Sequence, residues 1–306
     1  MKFLYFQDFH ISGKNSANYV GDYFQDCLLM LDEILQLAKD NKVESILDGG
    51  DLLNSAEPSY RILDEIADRV EKFKIPIHSL FGNHAQRYHS NEHSKYTGLA
   101  HLQKRSELFK YLTPISGENF RIEGIEYNHN VEEELKEGIF FGDNADEYWY
   151  IAIVHAFICP KEFPYASHIV CDNLKTDAHT VLVAHYHAEW EKQVGDTLFK
   201  DIGCVGRRSI TEHVITPKVL LIDTDNRSLE EIPLKSAKKG SEIFDLEKIE
   251  EVKAYDQNMV NFIKSLESTD FQASNIQGIV KEIAKEQKVD KEVVDLILNN
   301  MEAVDE

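Results

Sequence analysis

The chain has 306 residues, a formal net charge of −21 and 42% hydrophobic side chains, a globular balance long enough for one large core plus a small appendage. No apolar run approaches the roughly 18 residues of a membrane helix. The four cysteines (Cys27, Cys159, Cys171, Cys204) are scattered, without a Cys-x-x-Cys pair, which argues against a zinc knuckle or a disulfide framework. The apolar stretch at the N-terminus is too short for a signal peptide, so a reduced, cytoplasmic protein with no membrane association is expected. The acidic charge counts against a nucleic-acid partner, whose binders usually carry a basic footprint. Bound divalent cations would reverse that sign locally.

Residues 2–7 form the first expected strand. Residues 22–39 have helical periodicity, with Phe24, Leu28, Leu31, Ile34, Leu35 and Ala38 recurring at three- and four-residue steps. A strand over 44–47 leads into Asp48-Gly49-Gly50-Asp51, a helix over 59–73 follows Pro58, and a strand over 75–81 ends in Gly82-Asn83-His84. These strand–helix steps imply a sheet with helices packed on it. Residues 85–98 are polar and histidine-rich, a long loop, and long loops in compact domains are usually functional or disordered. Its His89 and His93 read as solvent-exposed, and its Tyr88 and Tyr96 as loop packing or as stacking surfaces for bases. Residues 101–112 are expected to form a short helix. Strands are expected over 120–127, 148–154, 180–183, 197–202 and 218–223. The reading divides the chain into a domain over 1–234, a linker over 235–240 and an acidic helical region over 241–306. That last region carries seven basic against sixteen acidic side chains, with helices over 276–287 and 290–301. It reads either as a packed appendage or as a docking module for another protein.

Five motifs fall at the ends of expected strands: Asp8-Phe9-His10, Gly50-Asp51-Leu52-Leu53-Asn54, Gly82-Asn83-His84, Val154-His155 and Ala184-His185-Tyr186-His187. Alone, each has an ordinary explanation as a turn or a surface histidine. In an α/β sheet, however, sites assemble outside the carboxyl ends of the strands, so these residues can converge. Carboxylate, imidazole and amide groups without thiolate suit Mn²⁺, Fe or Zn²⁺.

Together and in this order the motifs resemble the signature of the calcineurin-like metallophosphoesterase superfamily. The resemblance implies an α/β fold, a four-layer α/β/β/α sandwich, here with the small helical C-terminal appendage. It implies that Asp8, His10 and His187 hold one divalent metal ion, that Asn83, His155 and His185 hold a second, and that Asp51 bridges both. His84 matches the catalytic histidine. Two cations about 3.5–4 Å apart clamp a phosphoester and activate water, and Mn²⁺ is the expected metal, with Fe or Zn²⁺ as alternatives. Two positions depart from the pattern: Ala85 stands where an acid usually orients the histidine, and Ala184 replaces a glycine.

Within the superfamily the chain looks like the SbcD-type DNA exonuclease subunits of phages and bacteria. The similarity rests on Asp201-Ile202-Gly203-Cys204-Val205-Gly206-Arg207-Arg208-Ser209 followed by Glu212, on Pro217-Lys218-Val219-Leu220-Leu221-Ile222-Asp223, and on the helical tail. It implies 3′→5′ exonuclease and endonuclease action on DNA in repair or recombination, an SbcC-like ABC ATPase partner with a coiled coil, and a homodimer. Arg207 and Arg208 are candidates for phosphate contact. Two further readings stay open: a stand-alone phosphodiesterase or phosphatase for nucleotides or phosphoproteins, which the acidic charge favours, and a non-catalytic metal-binding scaffold, which only Ala85 suggests.

Overall fold

The computed structural model describes residues 1–86, 95–142, 148–163 and 167–246. Residues 1–245 form one compact unit. Its first sheet gathers β1 (Lys2–Phe6), β2 (Ser45–Asp48), β3 (Ile77–Ser79), β4 (Phe109–Tyr111), β13 (Lys218–Asp223) and β14 (Ser228–Pro233) in the order β14-β13-β1-β2-β3-β4. The four strands β1 to β4 run parallel, and β13 and β14 add antiparallel at one edge. The second sheet has the order β11-β12-β10-β7-β6-β5. Its strands are β5 (Ile115–Ser116), β6 (Phe120–Ile125), β7 (Trp149–His155), β10 (Thr180–Ala184), β11 (Glu189–Val194) and β12 (Thr197–Ile202). A two-stranded pair, β8 (Ile158–Cys159) and β9 (Ile169–Val170), stands apart.

The two sheets bury a common core. Phe3 and Tyr5 of β1, Leu47 of β2 and Leu220 and Ile222 of β13 pack with Phe120, Ile122, Trp149, Ile151, Ile153 and Leu182 of the second sheet. Leu4 and Phe6, also buried, alternate to the opposite face, toward α1 (Tyr23–Asp40) and α2 (Tyr60–Phe73). Asp22 caps α1 by accepting from the Gln25 N–H, and α2 ends where Lys74 turns left-handed. The outer face of the second sheet packs Tyr150, Ala152, Val154, Val181, Val183 and Phe199 against Val131, Leu135, Ile139 and Leu174. The layers are therefore helix, sheet, sheet and a thin helical layer, the mixed α/β sandwich expected. No helix among the described residues is long and apolar enough to cross a membrane.

The structure corrects the expected elements in three places. Residues 101–112 are not one helix: α3 (Gly98–Arg105) stops at Ser106, whose backbone is extended, and the chain then enters β4. Strands β5, β8, β9, β11 and β14 were not anticipated. The 235–240 stretch, expected as a linker, is fastened to the first unit. Glu33 accepts from the Lys235 and Ser236 N–H groups, and Ile243 and Phe244 are buried. The helices expected over 276–287 and 290–301 lie outside the described residues, as do Tyr88, His89 and His93.

Candidate metal centre

All seven residues expected to hold metal lie at or just past the carboxyl end of a strand. Asp8 and His10 follow β1, Asp51 follows β2, Asn83 follows β3, His155 ends β7, and His185 and His187 follow β10. Past the end of β1 the chain keeps pairing with the loop after β2: Asp8 N–H donates to Gly50 O, and His10 N–H to Asp51 O. This pairing runs through unusual backbone. Asp8, His10, Asp51, His185 and His187 all have φ between +49° and +100°. A non-glycine residue there is uncommon and costs on the order of 1–3 kcal/mol. Five such residues around one point mark a place where geometry is held against local preference.

Two glycines keep that point open. At Gly50 (φ +111°) a Cβ would lie 2.3 Å from His155 Nδ1, and at Gly82 it would lie 2.1 Å from Asp51 Oδ1. Both glycines are required by the side chains they admit.

The side chains converge in two groups. His10 Nε2 lies 2.9 Å from His187 Nε2 and 4.0 Å from Asp8 Oδ1, while His187 Nε2 is 3.6 Å from the same oxygen. In the second group Asn83 Oδ1 is 2.9 Å from His185 Nδ1 and 3.3 Å from His155 Nε2. Asp51 Oδ2 lies between them, 3.9 Å from His10 Nε2 and 3.5 Å from His155 Nε2.

Hydrogen bonds at the far atoms aim these groups inward. Asp8 Oδ2 accepts from His185 N–H and from Gln7 Nε2, which leaves Oδ1 buried without a hydrogen-bond partner. The Nδ1 of His155 faces Gly49 O at 2.9 Å, and that of His187 faces Glu212 Oε1 at 2.8 Å. Partners of this kind fix the ring and free Nε2 for a cation. Glu212 is itself held, because Oε2 accepts from the Arg208 and Ser209 N–H groups.

The electrostatics fit the same reading. Burial pushes the Asp51 carboxyl up, but the imidazoles of His155, His10 and His84 outweigh it and hold it below the usual range. Burial alone would lower His155, yet Asp51 raises it to about 9. Asp8, Cys204 and Glu212 likewise outweigh burial at His187 and raise it to about 12. Burial and the neighbouring His155 lower His185 to about 3. Ligand atoms at about 2.0–2.2 Å from one cation lie roughly 3–3.6 Å apart, and the observed separations bracket that. The orphaned Asp8 oxygen, two facing Nε2 atoms and a buried carboxylate between the groups are compatible with two divalent cations.

His84 stands at the rim, exposed, its ring 4.7 Å from that of His10. Its N–H donates to Asp51 Oδ1, and its Nδ1 lies 3.0 Å from Asn54 O. A backbone carbonyl from 30 residues upstream thus takes the orienting place left by Ala85, and among the described residues no hydrogen bond engages Nε2.

The expectation for Arg207 is corrected. Arg207 is buried, and its guanidinium donates to the carbonyls of Ile215 and Lys238. It clamps the 235–244 segment rather than facing the centre. Arg208 lies 4.8 Å over the Tyr23 ring and is partly exposed. Sequence reasoning gave no role to Gln7, which joins Asp8 to Asp201, nor to Tyr127, which stacks on His185 at 5.6 Å.

A family model described as calcineurin-like phosphoesterase matches residues 1–203. Among solved structures, an archaeal phosphodiesterase is 17% identical, with a TM-score of 0.40 over 76% of this chain and 100% of its own. A dimetal phosphatase from Danio rerio is 10% identical, with a TM-score of 0.47 over 77% of this chain and 99% of its own. Yfce, a phosphoesterase from E. coli, is 13% identical, with a TM-score of 0.37 over 77% and 100%. No curated protein sequence matches. The family model spans well over half of the sequence, and the chain belongs to the calcineurin-like phosphoesterases.

Proposed function

We propose that this phosphoesterase is a two-metal phosphodiesterase acting on DNA. The observation that carries the reading is the convergence of Asp8, His10, Asp51, Asn83, His155, His185 and His187, with His84 beside them. Bound at these residues, two divalent cations, Mn²⁺ in our reading, would polarise a phosphoryl oxygen and supply an ionised water. Asp51 would fix the spacing between the two ligand groups. His84, with Nδ1 held by Asn54 O, keeps Nε2 to stabilise charge on the phosphoryl group or to protonate the departing alkoxide, assistance typically worth about 10²–10⁴-fold.

The diester reading draws on the surroundings. The centre is open on two sides: a cleft of about 550 Å³ is lined by His185, Tyr186, His187 and Glu212, and another of about 580 Å³ by Ser55, Glu57, Asn83 and His84. A phosphodiester needs room for a substituent on each side of phosphorus. Within this reading the chain is the nuclease subunit of an SbcCD-like assembly in the cytoplasm, active as a homodimer. The separate unit Leu246–Glu306 is its docking module for an ABC ATPase.

The second reading, a phosphatase or nucleotide phosphodiesterase, is favoured by the net charge of −21 and by the acidic Glu57, Glu189 and Glu212 in the clefts. Purified protein in Mn²⁺ distinguishes the two when given end-labelled duplex DNA, single-stranded DNA and a chromogenic phosphomonoester. DNA cleavage that disappears in His84→Ala and Asp51→Asn supports the nuclease. Rapid monoester turnover with intact DNA supports the phosphatase.

A further inference from the structure

One flank of the centre is aromatic. Tyr186 sits between His185 and His187 and lines the cleft that those ligands open into. Its ring is packed from behind by Phe157, with centroids 4.8 Å apart and a 32° tilt, and by Phe163 edge-on at 5.7 Å. Phe157 is in turn braced by Phe163 and His168. Phe157 is 9% exposed, whereas Tyr186 stays half-buried and lines the cleft, so the stack ends in a ring that reaches the cleft. The same cleft is lined by Val214 and Ile215. Val214 is 73% exposed, an apolar side chain at the surface beside a set of ionic residues. Thr211 contributes the polar edge.

From this arrangement we infer that Tyr186 is a stacking platform for the nucleobase next to the scissile phosphate. The inference rests on the centre being a phosphoester site. A ring fixed by neighbours loses little freedom on binding, and every base offers a flat face to it. A cleft of about 550 Å³ is ample for a nucleoside, and its apolar wall gives a free phosphorylated sugar nothing to bury. Tyr186 is one residue from each of two ligand histidines, so a base on its ring belongs to the nucleotide whose phosphate the centre holds. Tyr186 is thereby a specificity-determining residue, favouring nucleotide esters over sugar phosphates and alkyl phosphates.

The test is calorimetric binding to the full chain equilibrated with Mn²⁺, which does not depend on turnover. The two probes are deoxyadenosine 5′-monophosphate and 2-deoxyribose 5-phosphate. Wild type and Tyr186→Phe are expected to bind the nucleotide about tenfold more tightly, the usual scale of one stacked base. Tyr186→Ala and Tyr186→Leu should bring the two affinities together, the latter because bulk without a flat face does not stack. The ratio cancels any general weakening of the centre. A wild-type ratio near one overturns the inference, as does a ratio that survives Tyr186→Ala or the absence of binding by either probe. A preserved ratio in wild type that collapses in Tyr186→Ala, alongside intact DNA in the nuclease assay, would uphold the platform while refuting the DNA reading.

Discussion

Replacing Gly82 with alanine isolates the claim that Asp51 must be placed with little tolerance. Gly82 has φ −88° and ψ 176°, a conformation any residue adopts, so Gly82→Ala adds no backbone strain. It adds only a methyl group, 2.1 Å from Asp51 Oδ1, 2.4 Å from Asp51 Cγ and 2.7 Å from Asp51 N. The last of these is backbone that cannot swing aside. Relief requires Asp51 to shift as a whole, backbone and carboxylate together, by about 1 Å, and misplacement on that scale costs about 10²-fold in a positioned site. The His84 N–H that donates to Asp51 Oδ1 would be displaced with it. Overpacking should lower stability by about 1–3 kcal/mol, leaving the protein folded. The assay is hydrolysis of bis(4-nitrophenyl) phosphate in Mn²⁺ with calorimetric melting alongside. Gly195→Ala is the control. At φ +58° with nothing within 4 Å, it pays about 1–2 kcal/mol of left-handed strain and should keep its activity. Full activity in Gly82→Ala would refute the placement of Asp51.

His84→Ala should lower kcat by about 10²–10⁴-fold while the metal content, read by elemental analysis, stays at the wild-type level; loss of metal would make His84 a ligand instead. In the cation-free protein His155 holds its proton up to about 9 and His187 up to about 12. A cation must displace those protons, so Mn²⁺ affinity by titration calorimetry should tighten from about pH 6 to about pH 8 with proton release. A flat profile would contradict the ligand assignment. Arg207→Ala should cost about 1.5–3 kcal/mol of stability by denaturant titration, since it strands the Ile215 and Lys238 carbonyls, with kcat unchanged. Unchanged stability with lost activity would return Arg207 to phosphate contact.

The parallel strands and their motifs were legible because each is a local pattern: an apolar run followed at once by the polar residues it delivers. Strands β11 and β14 escaped notice for the opposite reason. Glu-Trp-Glu-Lys-Gln-Val and Ser-Leu-Glu-Glu-Ile-Pro are half-exposed edge strands, and their carboxylates pair with lysines that only the fold brings near. Glu231 meets both Lys200 and Lys218. The 101–112 segment has enough apolar residues for one helix. The break at Ser106 is set by partners elsewhere, including a hydrogen bond to Glu71 and the pairing of β4 with β3.

At the centre, the sequence named the groups that converge but not what aims them. The orienting partner of His84 is a carbonyl, Asn54 O, which no side-chain motif can signal. Arg207 followed the pattern of a phosphate-binding arginine, yet its acceptors lie 8 and 31 residues away in sequence. The left-handed turns at Asp8, His10, Asp51, His185 and His187 are equally silent in the sequence, because Asp and His only tolerate that backbone and do not demand it.

The most direct test is to count bound Mn²⁺ in wild type and in Asp51→Asn while following hydrolysis of bis(4-nitrophenyl) phosphate. The account predicts two ions per wild-type chain and hydrolysis that depends on them, with both the metal content and the hydrolysis lost when Asp51 is neutralised. A wild-type chain that takes up no ion at saturating Mn²⁺, or an Asp51→Asn variant that keeps two ions and the wild-type rate, would contradict it.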